Sequence, residues 1–376
     1  MSAYLDNSAT TRVCKQAADK MYEVLTRQYG NPSSLHMMGF QANELLEESR
    51  AVLARMLGCR SEEVFFTSGG TESNNMALFG VMEHGGKKGG VVTSSIEHPS
   101  VEQAVRALGD MGHPVFFAPV DRSGRVDVQA VVDAVNDDTE LVSVMLVNNE
   151  LGTIQPAAEL FAAVKQKNPH VITHCDCVQA FGKIEVRPAR LNADLVTVSA
   201  HKIHGPKGVG ALYVRRGVRL RPRVFGGGQE RGVRCGTEDL PGIAGFAAAA
   251  QALPGLKQSD AAVRALRGRL IGGLSAMADV VVNSPPDALP YIVNASFLGI
   301  PAQPMINFLS AREICVSGGS ACSSGHRSRV LTACGLEPRV IDSAIRISLS
   351  HDTTEQEIDE LLAGLSDALK TIRRKR

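Results

Sequence analysis

The stretch "LVTVSAHKIHGPKGVGALYV", residues 195–214, decides how this chain is read. An apolar, β-prone run, LVTVS (195–199), leads into Lys202, which sits between His201 and His204. A Gly/Pro-rich turn follows, and then a second strand-like run, GALYV (210–214). Lysine ordinarily keeps its ammonium in water. One carried to the end of a buried strand either snorkels outward or is held there because its amine does chemistry.

Outward from this stretch the same pattern repeats. VFFT (64–67), VVTSS (91–95), PVFFAPV (114–120), LVSVMLV (141–147) and VITHCD (171–176) read as further strands, and 100–110, 127–137 and 156–168 as amphipathic helices. Continuous apolar strands separated by helices predict a mostly parallel, seven-stranded sheet covered on both faces, an α/β fold. In such sheets ligands gather beyond the carboxyl ends of the strands. Polar clusters stand at those ends: SGGTESNN, IEHPS, NNELG, DCVQ and AHK. Beyond residue 250 the texture changes to helices (258–278 and 354–373) around short strands such as IVNASF (292–297) and AIRISLS (344–350). This predicts a large domain over 15–250 and a smaller α+β domain formed by 1–14 and 251–376.

Bulk properties narrow the classes. The chain has 376 residues, 44% hydrophobic and 21% charged, with a formal net charge of +1. That is a globular composition with no argument for a nucleic-acid partner. The opening "MSAYLDNSATTRV" shows no secretory leader, and no apolar run reaches membrane-spanning length. The eight cysteines do not form a disulfide-like pattern, so a cytoplasmic location is expected.

The strand ends carry the chemistry. SGGTESNN (68–75) is a Gly-rich turn opening a helix, with Thr71 the expected N-cap, and free backbone N–H groups there suit a phosphate. In THCDCVQ (173–179), His174 and Asp176 point to one strand face and Cys175 and Cys177 to the other, so no metal site is expected. Asp176, at an apolar strand's end, needs a cationic or protonated partner. His98, in IEHPS, is placed to lie flat on an aromatic ligand. A phosphate cradle, a buried acid, a flat histidine and a lysine together make a site for pyridoxal 5′-phosphate, with Lys202 forming the Schiff base. A second motif, VSGGSACSSGH (316–326), sets Cys322 among small residues, as a nucleophile that must swing would be. Arg346, on a strand of the small domain, offers a fork for a substrate carboxylate, or else an interdomain ion pair.

The chain resembles the cysteine desulfurases of the NifS/IscS type, pyridoxal-phosphate enzymes of fold-type I. The resemblance rests on YLDNSATT, GNPSSLH, FTSGGTESNN, EHPSV, VNNELGTIQP, DCVQAFGKI, SAHKIHGPKGVGALYVRRG, GGGQERGVRCGTED, SGGSACSSG and IRISLS, which occur in the family's order. It implies that Lys202 holds the cofactor's aldehyde, that Asp176 pairs with the pyridine nitrogen and that His98 stacks on the ring and takes part in catalysis. Gln179 and Asn149 reach the cofactor's ring oxygen or the substrate. Gly70, Thr71, Ser199 and His201 hold the phosphate, with Thr237 supplied by the other subunit of a homodimer. Arg346 and Asn149 bind the carboxylate of L-cysteine. Sulfur passes to Cys322 as a persulfide, alanine leaves, and an iron–sulfur scaffold or tRNA-thiolation enzyme is the acceptor. No metal and no membrane are implied.

Three departures from the family's pattern stand out. Only seven residues, SSGHRSR, separate Cys322 from Val330, a shorter loop than in the long-loop branch. The sequence ends at KTIRRKR, without a scaffold-docking extension, and Cys235 stands where serine is usual. Competing readings are a selenocysteine lyase, an aminotransferase, which would not need Cys322, and a non-catalytic scaffold, in which Lys202, Cys322 or Arg346 would be missing.

Overall fold

A computed structural model describes residues 3–83, 88–318 and 327–372. The large sheet is built from β2 (Val64–Thr67), β3 (Gly90–Ser94), β4 (Val115–Ala118), β5 (Thr139–Ser143), β6 (Ile172–Asp176), β7 (Leu195–Ser199) and β8 (Gly210–Val214), following a two-residue strand β1 (Ala3–Tyr4). Its spatial order is β2-β8-β7-β6-β5-β3-β4, with only β8 running against its neighbours. All seven expected strands are therefore present. β2, β7 and β8 are buried at every position, as a sheet covered on both faces requires.

Two boundaries differ for local reasons. The run 141–147 is shorter as a strand: β5 ends at Ser143, and although Val144 and Leu146 still donate to the His174 and Asp176 carbonyls, the Met145 N–H is taken by both carboxylate oxygens of Glu97, at 3.0 and 3.1 Å. The run 114–120 shortens to Val115–Ala118, because Pro119 has no N–H to continue the ladder.

The first four helices are α1 (Lys15–Arg27), α2 (Met37–Leu57), α3 (Gly70–Met82) and α4 (Pro99–Asp110), and the last two bring residues to the site. Gly58 ends α2 in the left-handed region, φ 66°, and its N–H closes on the last carbonyls. α3 begins differently from expectation. Its N-cap is Gly69, at φ 143°, and Thr71 lies inside the first turn. A β-branched residue does not tolerate that backbone, whereas glycine does. No side chain caps α3, so its first N–H groups face outward.

Further along, β9 (Val280–Val282), β10 (Ile292–Phe297), β11 (Ile314–Cys315), β12 (Ser317–Gly318) and β13 (Ala344–Ser348) complete the strands among the described residues. An antiparallel sheet of order β12-β13-β10-β9 sets Asn294 opposite Arg346. β1 pairs in parallel with β11, and Asp6 bridges to Ser348, so the N-terminal segment is stitched to the late part of the chain. The main apolar cluster runs without a break from Phe66 and Val196 under the large sheet to Ile292 and Ile345 in the small one. Continuous packing of this kind holds the two sheets in one relation.

Candidate active site

Lys202 closes a single 3-10 turn, Ala200–Lys202, directly after β7. Its Nζ donates to the carbonyls of Ser8, 2.5 Å, and Ala9, 2.8 Å. The Thr11 N–H in turn donates to the His201 carbonyl, which folds the N-terminal segment across the strand ends. The lysine does not snorkel away. It is held in a cavity of about 490 Å³.

That cavity gathers most of the residues expected from the sequence. Gly70, Thr71, Ser199 and His201 line it, as do His98 and Asp176. Asn149, Gln179, Lys202 and Arg346 complete the set. Thr237 is exposed and does not line it. Cys322 lies outside the described residues.

Asp176 ends β6 almost fully buried, and both carboxylate oxygens have partners. Oδ1 accepts the Val178 N–H at 2.9 Å, and Oδ2 accepts from Asn74 Nδ2 at 2.8 Å. Asn74 also donates to Ser100 Oγ, 2.8 Å, and that hydroxyl lies 2.8 Å from His98 Nδ1. His98 is the N-cap of α4 and accepts the Ser100 N–H at 3.2 Å. Burial, more than any charge, lowers its pKa, with Asp176 pulling it up and Lys202 and Arg329 pushing it down. His201 is pushed to about 4 by burial and then by Lys202 and Lys207.

Arg346 is buried. Its terminal nitrogens donate to the Asn149 carbonyl, 3.1 Å, and to Asp6 Oδ1, 2.9 Å, while Nε has no hydrogen-bond partner among the described residues. Arg346 thus has an acidic partner and lines the cavity, but Asp6 belongs to the N-terminal segment grouped with the small domain, so this is not the interdomain pair weighed from the sequence. Behind it, Lys183 Nζ donates to Gln179 Oε1, 3.2 Å, and Gln179 Nε2 to the Ser8 carbonyl, 2.9 Å. Burial lowers the Lys183 pKa to about 7, assisted by Lys202 and Arg346. Glu97 is pushed up to about 8 by burial against its hydrogen bonds.

Sequence reading did not anticipate Ser8, Asp6, Asn74, Glu97 or Lys183. The motif YLDNSATT contains the first two, yet nothing in its spacing reveals a fold over β7. A separate group, His204, His351 and Asp352, has metal-like proximity but lies outside this cavity, and His204 Nδ1 stands 3.0 Å from the Arg12 carbonyl.

These residues fit pyridoxal phosphate. The uncapped α3 N-terminus, with Ser199 and His201 close by, suits a phosphate. At Gly70 a Cβ would stand 2.8 Å from Val178 Cγ2, so only glycine leaves that wall clear. A buried anion for a ring nitrogen and an amine for an aldehyde open on the same space.

The family model described as "Aminotransferase class-V" matches residues 3–361. "Cysteine desulfurase IscS" of Methanosarcina thermophila is 38% identical over 377 residues, 99% of this chain and 93% of that protein. A solved "NIFS-LIKE PROTEIN" superposes with TM-score 0.94 at 39% identity, covering 99% of this chain and 100% of that one. A structure described as "SspA in complex with cysteine" gives TM-score 0.84 at 32% identity, over 94% of this chain and 100% of that one.

Proposed function

We infer the workings of this site from one premise: the chain belongs to the aminotransferase class-V family and, within it, to the cysteine desulfurases of the IscS and NifS type. It is a pyridoxal-phosphate-dependent cysteine desulfurase, which converts L-cysteine to L-alanine and keeps the sulfur. The observation that carries the assignment of roles is one cavity lined by Lys202, Asp176, His98 and Arg346 together.

In this reading Gly70, Thr71, Ser199 and His201 hold the phosphate, and Asp176 keeps the ring nitrogen protonated while Asn74 and Val178 fix its carboxylate. Once bound, pyridoxal phosphate supplies an electron sink that makes the substrate's Cα–H and carbon–sulfur bonds breakable. The Arg346 guanidinium, with Asn149, takes the substrate carboxylate. Its contact with Asp6 holds the fork in place beforehand. Lys202 would hold the cofactor's aldehyde, and its amine, when neutral, would carry the Cα proton. The Cys322 thiolate would attack the substrate sulfur: the S–S bond forms, the C–S bond breaks with its electron pair left to the carbon side, and one proton taken up at Cβ and one returned to Cα complete alanine.

We further propose a homodimer in which Thr237 completes the partner's phosphate site. Thr237 is exposed, and Tyr22, Leu25, Tyr29, Leu35, Phe40 and Phe225 are large apolar side chains left open to solvent. The sulfur acceptor is an iron–sulfur scaffold or tRNA-thiolation protein. A reducing, cytoplasmic setting suits the cysteines, which are free among the described residues. No helix among the described residues is long and apolar enough to cross a membrane.

The test is direct. Incubated with pyridoxal phosphate, the protein turns yellow, and borohydride fixes the cofactor to Lys202. Cys322→Ala keeps the colour and loses sulfide release. A colourless protein, or full turnover in Cys322→Ala, would overturn the assignment of roles.

A further inference from the structure

We propose that Asn74 and Ser100 are positioning residues that hold His98 as an N–H donor toward the cavity, with its Nδ1 lone pair engaged by the α4 cap. Two groups in this hydrogen-bonded chain can act in one direction only. The Ser100 backbone N–H can only donate, so at 3.2 Å His98 Nδ1 must accept. The Asn74 amide is oriented by Asp176: a carboxylate accepts, so the atom 2.8 Å from Oδ2 is the NH₂ group. Its second hydrogen goes to Ser100 Oγ at 2.8 Å, leaving that hydroxyl's own proton for His98 Nδ1, also 2.8 Å away. Asn74 Oδ1 is left buried without a hydrogen-bond partner, as expected if Asp176 and Ser100 dictate the orientation.

Two donors on Nδ1 place the ring proton on Nε2, the nitrogen left for the cavity that His98 lines. A ring held this way presents hydrogen, not a lone pair, to anything bound. It steadies an electron-rich atom and does not take a proton from one. Within the desulfurase reading, on which this catalytic consequence alone rests, proton removal falls to Lys202. The charges facing His98 are Asp176, Lys202 and Arg329, and His201 lies close enough to feel its charge.

The experiment reads the ring nitrogens of cofactor-free protein by ¹⁵N NMR, with the His98 signals identified by their loss in His98→Gln. Wild type should show Nδ1 unprotonated and Nε2 protonated from pH 7.5 to 9. Ser100→Ala removes one donor that favours the neutral ring, so the titration midpoint rises by about one unit, the equivalent of one hydrogen bond. Ser100→Thr restores it. A proton on Nδ1 in wild type, or an unchanged midpoint in Ser100→Ala, overturns the proposal. The wild-type tautomer decides the matter even if the alanine variant fails to fold. Because no cofactor is present, the outcome is independent of whether the protein turns yellow.

Discussion

Lys202 closes the short turn that follows a strand buried along its whole length, and two main-chain carbonyls from the N-terminal segment meet its Nζ. The position of the lysine was legible from the apolar run before it. The carbonyls were not, since Ser8 and Lys202 are far apart in the chain and meet only through the fold. Arg346 shows the same division. Its alternation with apolar neighbours marks a strand, whereas its hold on Asp6 needed both ends of the chain in place. Arg346→Gln should raise KM for cysteine about 10- to 100-fold, the worth of a charge-assisted pair, with kcat less affected. Steady-state kinetics check this, and an unchanged KM would remove the carboxylate role. Thiol reactivity gives a second residue-scale prediction. Burial pushes Cys59 and Cys334 up to about 12, and Cys175 and Cys177 are buried outright. Limited alkylation at pH 7.5, read by mass spectrometry, should therefore mark Cys322 before any of these four.

At the scale of elements, α3 opens onto the cavity with no side-chain cap because Gly69 holds the cap position. The Gly-rich turn and the helix were legible, but the cap was expected two residues too late, at Thr71 and not Gly69. Gly70→Ala would drive a Cβ against Val178 Cγ2, 2.8 Å away, and should weaken pyridoxal-phosphate binding about tenfold or more, followed by absorbance titration. A second element is held from beneath. Glu230 accepts both terminal nitrogens of Arg50, 2.8 and 2.9 Å, and the Phe66 N–H at 2.9 Å. Glu230 and Arg231 are both in the left-handed region, φ 46° and 57°, so this buried pair fixes a costly backbone in the segment leading to Thr237. Arg50→Met leaves a buried carboxylate unpaired and should cost about 3–5 kcal/mol in urea denaturation. A loss below about 1 kcal/mol would show that the pair does not secure the segment.

The whole molecule adds a dependence on pH. Burial pushes His174, His201 and His204 each to about 4, so the folded protein keeps them neutral. In the unfolded chain a histidine titrates near 6.5. As pH falls, the unfolded state takes up these protons first, so stability that is complete above about 6.5 drains away toward 4. His174, sealed between Ser143 and Thr197, accounts for about 3 kcal/mol of that loss by itself. Thermal denaturation across this window should show the melting temperature dropping, and a flat profile from pH 7 to 4.5 would contradict it.

The sequence by itself determined the alternation of buried strands and helices, and with it the sheet whose carboxyl ends collect Lys202, Asp176 and His98. Those features follow from local apolar periodicity, which is written along the chain. Only the tertiary structure decided which groups restrain those residues: Ser8 and Ala9 over Lys202, Asn74 and Ser100 between Asp176 and His98, and Asp6 on Arg346. Apart from the local pair Ser100 and His98, these contacts join segments distant in sequence, and each depends on donor and acceptor geometry that no spacing of letters encodes.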